Sequence, residues 1–275
     1  MNPQELLDRS GFANLDDLDS RRYKEILPLL EASARSFEEA SPAFRSPEHP
    51  WPLDPLHQWS RIWEYPDIWH HLERLLPTSA SQVMDLGSGV TFFPFALATR
   101  GIHTLCVDID PMAGRDLARA VEAMQPAPGG IAFQLTEGGP LEVPDGTMDA
   151  VYCISVLEHV PDPASLIPEI TRVLKPGGLF LLTIDVAMEG RRADIKPEQY
   201  RALRRMLGQH FEFVFPEDSV HPQRVLTTDH SPFPVGRKSP LKAFFRRLER
   251  GLTRAFLDRE RGTRLCCQGF VLQKK

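Results

Sequence analysis

Residues 83–91 read Val83-Met-Asp85-Leu-Gly87-Ser-Gly89-Val-Thr91. An apolar run that ends on a carboxylate and breaks at once into two glycines describes a buried strand turning into a helix. Gly87 and Gly89 remove side chains where the backbone must approach a ligand closely, and the helix that follows begins with free N–H groups. Asp85 narrows the reading, because a carboxylate at the strand tip repels a pyrophosphate but pairs well with an ammonium group. A cationic ligand carrying an amino-acid portion fits this turn better than a dinucleotide does.

Outward from the turn, short apolar runs alternate with helical stretches. Strands are expected at Val83–Leu86, His103–Val107, Ile131–Leu135, Ala150–Ser155, Leu179–Ile184, Phe211–Phe215 and Leu265–Leu272. Helices fit between them at Phe93–Thr99, Pro111–Met124 (capped by Asp110), Ala164–Leu174 and Pro197–Leu207. This alternation is the signature of βαβ units. The expected fold is therefore α/β: a doubly wound, seven-stranded, mostly parallel sheet whose last strand is antiparallel, with an N-terminal helical cap and an insertion before the last strand. Residues 1–80 form the cap, with helical periodicity in Tyr23, Ile26, Leu27, Leu30 and Ala34, a Pro-broken linker over Ser41–Pro50, and then all four tryptophans, Trp51, Trp59, Trp63 and Trp69. The tryptophans read either as a ligand wall or as aromatic packing against the sheet. Residues 81–216 are the α/β core, 217–264 the insertion and 265–275 the final strand.

A chain of 275 residues holds one sizeable core with additions. Hydrophobic and charged fractions of 42% and 25% exclude disordered and fibrous classes. No apolar run approaches the roughly 18 residues of a membrane span, and Met1-Asn-Pro-Gln-Glu-Leu6 carries no basic-then-apolar signal. A cytoplasmic protein is expected, with Cys106, Cys153, Cys266 and Cys267 as free thiols. Charge is uneven: Arg237–Arg264 has ten basic against three acidic residues, +7, which leaves −12 for the rest of a chain whose net charge is −5. Within this segment Leu241, Phe244, Phe245, Leu248, Leu252 and Phe256 recur at helical spacing among arginines, so 238–262 reads as a basic amphipathic helix. It serves as a lid on the acidic body, as a surface helix for anionic membrane at the inner membrane face, or as a dock for an acidic carrier.

Two further acidic positions follow the first turn. Asp108 ends the second strand in Cys106-Val-Asp108-Ile-Asp110-Pro111, where a carboxylate can accept both hydroxyl hydrogens of a ribose. Glu137 and Gly138 follow the third strand in Leu135-Thr-Glu137-Gly138-Gly, and the turn Pro144-Asp-Gly146 leads to Asp149. The longest signature is Asp149-Ala-Val-Tyr-Cys-Ile-Ser-Val-Leu-Glu-His-Val-Pro-Asp-Pro-Ala164, followed by Leu174-Lys-Pro-Gly-Gly-Leu179.

Over residues 82–185 these motifs resemble, in order and placement, the class I S-adenosylmethionine-dependent methyltransferases, and in particular the branch acting mainly on small molecules. The sequence departs from the family's alternating glycines at Thr91, which could cap the next helix instead, with Pro94 tolerated in its first turn. The resemblance implies S-adenosylmethionine as methyl donor and S-adenosylhomocysteine as product. It places the methionine portion on Asp85, Gly87 and Gly89, the ribose on Asp108, and the adenine on Glu137 and the Gly138 N–H. The reaction it implies is transfer of a methyl group to an oxygen or nitrogen of a small-molecule acceptor. His159 stands beside the expected transfer centre and is either a base or a capping histidine. The alternatives are donor-binding chemistry without methyl transfer, such as cyclisation, and a binding module working through its basic segment. Nucleic acid is not expected, since no Asn/Asp-Pro-Pro-Tyr/Phe or Pro-Cys loop is present and the body is acidic. No metal is expected either, because His57, His70 and His71 lack a Cys or carboxylate at ligand spacing.

Overall fold

The computed structural model describes residues 7–48, 54–76, 80–126, 129–189, 195, 197–230 and 264–275. The cap comprises β1 (Ser10–Phe12), α1 (Leu15–Asp19), α2 (Arg21–Phe44) and α3 (Arg61–Leu75). The core follows as β2 (Gln82–Leu86), α4 (Phe93–Ala98), β3 (His103–Asp108), α5 (Pro111–Met124), β4 (Ile131–Leu135) and β5 (Met148–Ile154). It continues through α6 (Ile167–Val173), β6 (Leu174–Glu189), α7 (Pro197–His210), β7 (Phe211–Phe213), β8 (Glu217–Asp218) and β9 (Arg264–Lys274).

All strands share one sheet in the order β4-β3-β2-β5-β6-β9-β1-β8, with β7 also paired to β9. The five strands from β2 to β6 are parallel, and β9 runs antiparallel to β6 over its whole length. The chain leaves β2 toward β3 and β4, then returns across it to β5. The loops after β2 and β5 therefore diverge and leave a crevice at the carboxyl ends of the strands, where ligands of such sheets lie.

Period-two alternation sorts the strand side chains onto two cores. Val83, Cys106, Ala150, Tyr152 and Leu181 pack with residues of α2–α5, including Ile26, Leu30, Ile68, Trp69, Phe93 and Leu117. Met84, Leu86, Val107, Val151, Cys153, Phe180 and Leu182 pack with Ile167, Ile170, Leu203 and Leu207 of α6 and α7. Asp85 follows Val83 in this alternation and so lies on the α3–α4 side. The Asp110 side chain accepts a hydrogen bond from Met112 N at 2.8 Å and caps α5, with Pro111 in its first turn.

Among the described residues the sheet has nine strands rather than the seven expected. The additions, β1 and β8, have three and two residues, too short to show alternation in the sequence. Tertiary hydrogen bonds hold β1 in place, from Val271 N to Ser10 Oγ at 2.9 Å and from Ala13 N to Cys267 O at 2.9 Å. The expected linker at Ser41–Pro50 also begins later than the prolines suggest. α2 runs through Pro42 to Phe44 because Phe44 packs on Phe37, ring centroids 4.9 Å apart, and Arg45 N still reaches Ser41 O at 2.9 Å. The basic stretch 238–262 and Trp51 lie outside the described residues. Among the described residues no helix is long and apolar enough to cross a membrane.

Candidate functional site

The turn after β2 is built as its glycines imply. Gly87 has φ +77°, and a Cβ there would lie 2.4 Å from a methyl of Val156, so both conformation and space exclude a side chain. Gly89 has φ +51°, with nothing within 4 Å of its Cβ direction, so it faces open space. The turn is stapled to β3. Gly87 N and Ser88 N donate to Val107 O at 2.8 and 3.1 Å, and Gly89 N donates to Asp108 Oδ2 at 2.7 Å. The other oxygen of Asp108 accepts Asp110 N at 2.9 Å. Asp108 thus sets the shape of two loops while its carboxylate stays half-buried at the crevice.

Asp85 is 5% exposed. Burial pushes its carboxyl up to about 7, with the nearby Tyr152 phenol opposing the shift and the Asp108 charge adding to it. The buried Tyr152 hydroxyl itself meets no hydrogen-bond partner in good geometry among the described residues. Thr91 does not cap α4. The N-cap position is Phe92 and carries no side-chain bond, while Thr91 stands beside the Tyr65 phenol of α3. Glu137 and Gly138 are exposed beyond β4, and Gly138 N donates to Thr136 Oγ1 at 3.2 Å. Between them and Asp108 two apolar side chains face solvent, Ile109 at 70% and Leu135 at 49% exposure. Sequence reasoning did not single out this pair; the signal was an apolar residue at or just past each strand end, flanked by acids.

On the other side of β2, α3 meets the carboxyl ends of β5 and β6 in a buried polar cluster that the sequence did not announce. Glu64 Oε1 accepts Ser155 Oγ at 2.7 Å, Thr183 Oγ1 at 2.5 Å and the Cys267 thiol at 3.5 Å. Its Oε2 pairs with Arg61 and accepts Ser60 Oγ at 2.8 Å. Burial opposes the charge on Glu64, but Arg61 and the three hydroxyls outweigh it and hold the carboxyl below its ordinary range. Ser60 Oγ also lies 3.0 Å from Asp185 Oδ1. Ser155 adopts φ +47°, an uncommon conformation for a residue with a side chain, at the tip of β5. His159 is exposed on the short 3-10 turn Leu157–His159, whereas its neighbour Glu158 is buried. Asp185 had a readable signal, the same as Asp85 and Asp108: a carboxylate at the end of an apolar strand run.

The histidines and tryptophans of α3 are spent on packing. His70 Nδ1 accepts from Arg22 at 3.2 Å while Nε2 meets Asp8 at 2.8 Å. His71 lies close by, but the Arg22 donor on Nδ1 leaves the Nε2 hydrogen for Asp8, so the trio is a latch from the N-terminus to α3. Trp63 Nε1 donates to Asp17 at 2.8 Å, and Trp59, Trp63 and Trp69 are all buried. The four cysteines are buried and free. A recess of about 200 Å³ beside Lys175, Gly178, Leu179 and Gln273 sits at the opposite end of the sheet and shares no residue with the groups above.

Residues 84–182 match the family described as a methyltransferase domain. This stretch is a methyltransferase domain. An uncharacterized methyltransferase of Mycobacterium sp. (strain JLS) is 35% identical over 120 residues, 44% of each chain. The ubiquinone biosynthesis O-methyltransferase of Xylella fastidiosa (strain 9a5c) is 30% identical over 155 residues, 54% of this chain and 61% of the relative. The matched part thus spans about half the length of these curated relatives. Among solved structures the 4+2 cyclase SpnF superposes with TM-score 0.58 at 20% identity over 97% of this chain and 99% of its own. MccD does so with 0.52 at 12% identity over 76% and 96%. These are likenesses of fold.

The donor of this domain family, S-adenosylmethionine, fits the residues present. The methyltransferase domain offers a buried carboxyl with no cation beside it among the described residues at Asp85, open space at Gly89 and a half-buried carboxylate at Asp108, all on adjoining strand ends.

Proposed function

We propose that the chain transfers a methyl group from S-adenosylmethionine to an oxygen or nitrogen of a small-molecule acceptor. The observation that carries this reading is Asp85, a carboxyl at the tip of β2 that burial pushes up to about 7. An ammonium group brought beside it offsets the cost of its ionisation. Gly89 leaves the space such a ligand needs, and Gly87 lets the β5 loop close against the turn. Asp108 retains acceptor capacity beyond its two N–H contacts and can hold ribose hydroxyls. Ile109 and Leu135 offer apolar surface for the flat base, with Glu137 at its edge. When bound, the donor supplies an electrophilic methyl on a sulfonium. The protein holds the acceptor in line with it, which by itself yields much of the rate.

Calorimetric titration with S-adenosylhomocysteine tests the site, with micromolar binding expected. Accumulation of S-adenosylhomocysteine with hydroxyl- and amine-bearing candidates tests transfer. Donor binding without accumulation on any acceptor would favour chemistry other than methyl transfer.

A further inference from the structure

The polar cluster under α3 contains more acid than its internal bonds require. Glu64 is fully engaged by Ser60, Arg61, Ser155 and Thr183. Glu158 is 3% exposed, and its Oε1 accepts Asp185 N at 3.0 Å while its Oε2 has no hydrogen-bond partner among the described residues. A buried carboxyl oxygen left unmatched is costly in a purely structural network. Burial and then the Asp185 charge push Glu158 up to about 8. Asp185 is half-buried and so the more exposed member of the pair.

The place of the pair also matters. Glu158 lies three residues beyond Ser155 at the tip of β5, and Val156 of the same loop packs against Gly87 of the donor turn. The groups around the pair are Arg61, Glu64 and Tyr65 on α3, Cys153 on β5, and Cys266 and Cys267 on β9. Burial pushes all three thiols up, so they stay protonated and do not compete as bases. Arg61 is paired with Glu64.

We propose that Glu158 and Asp185 act together as the proton acceptor for a hydroxyl-bearing methyl acceptor, which docks on the Asp185 side. The hydroxyl proton passes to the carboxyl pair as an oxygen lone pair forms the new carbon–oxygen bond. The methyl–sulfur bond breaks with its electrons returning to sulfur, and the pair later releases the proton to water. A hydroxyl must lose its proton to become a good nucleophile, whereas a neutral amine need not, and so a carboxylate pair of this kind selects oxygen. Ser60, through its contacts with Glu64 and Asp185, is a positioning residue.

This inference rests on the donor site proposed above, and one experiment separates the two. The full chain is saturated with S-adenosylhomocysteine and titrated with 4-nitrophenol, whose anion absorbs visible light. In the wild type the bound phenol is expected to ionise about one pH unit or more above its value in free solution, because the negatively charged pair hydrogen-bonds the hydroxyl and opposes a second charge beside it. Glu158→Gln and Asp185→Asn are expected to abolish that displacement while keeping S-adenosylhomocysteine affinity within about twofold, which also shows that they fold. Absence of phenol binding, a bound phenol with undisplaced ionisation, or variants that behave as wild type would each overturn the assignment while leaving the donor reading intact. A wild type that does not bind S-adenosylhomocysteine would overturn the donor reading and this inference with it.

Discussion

Asp85→Asn tests the donor site through two effects of opposite sign. The Asp85 carboxyl stands at about 7 in the folded chain against an ordinary 3.8, chiefly from burial. The folded state therefore binds more protons than the unfolded state between these values, and stability falls as pH rises through them. The contribution of the protonated carboxyl is complete below about 3.8 and gone above about 7. At about 1.36 kcal/mol per pH unit the whole window is worth about 4 kcal/mol, of which about 3 kcal/mol is lost between pH 5 and pH 8. Asparagine has the shape of the protonated acid and no charge to desolvate. The variant is expected to gain on wild type by up to about 3 kcal/mol on going from pH 5 to pH 8, roughly 6 °C in Tm for a chain of this size.

Donor binding should move the other way. An ammonium placed on Asp85 favours the ionised form, so wild-type affinity for S-adenosylhomocysteine is expected to tighten with pH up to about 7. The variant should lose that dependence along with a charge-assisted bond worth about 1.5–3 kcal/mol. Thermal unfolding at pH 5 and pH 8, with and without S-adenosylhomocysteine, reads both effects. A variant that is less stable than wild type at pH 8, or that binds S-adenosylhomocysteine equally well, would refute the placement of an ammonium at Asp85.

Gly87→Ala and Gly89→Ala should separate in the same assays. The first meets Val156 as well as a strained φ and should cost about 2–5 kcal/mol of stability, whereas the second should cost about 1–2 kcal/mol but weaken donor binding by filling open space. Asp108→Ala should lower S-adenosylhomocysteine affinity by about 1.5–3 kcal/mol, and calorimetry showing no loss would remove it from the site. His159→Ala, at an exposed position, should leave donor affinity unchanged and reduce turnover less than Glu158→Gln, as initial rates with any accepted hydroxyl substrate would show. Residues 238–262 are expected to sediment the chain with anionic vesicles at low salt but not high salt; no sedimentation at low salt would leave the lid or the carrier dock.

The donor half of the crevice was legible because its constraints are local in sequence. Gly87 and Gly89 answer to backbone angles within one turn, Asp110 to a cap two residues away, and Asp85 and Asp108 to the ends of apolar runs that are themselves countable. Seven strands carry enough alternation or length to be read. β1 and β8 do not, because so few residues carry no period and their pairing is decided by β9. α2 likewise outruns its prolines because packing of Phe44 on Phe37 outweighs a local propensity.

The acceptor half follows a different rule. Ser60 and Asp185, which share a contact, are 125 residues apart, and Glu64 meets Thr183 across 119 residues and Ser155 across 91. No spacing motif encodes such a convergence. It exists because α3 is laid across the strand ends by buried aromatics on two faces, Tyr65 and Trp69 in the core with α2, α4 and α5 and Trp63 against Ala13, Leu226 and Cys267. That placement also joins the two halves. Tyr65 stands beside Asp85 and Thr91, and the preceding residue, Glu64, ties down Ser155 and Thr183. A change that shifts α3 by a fraction of an ångström therefore moves the surroundings of the donor carboxyl and of the Glu158–Asp185 pair together. Substitutions in the apolar packing of α3, such as Trp69→Leu, should alter donor affinity and acceptor ionisation in concert, whereas Asp85→Asn and Glu158→Gln should each alter one of them alone.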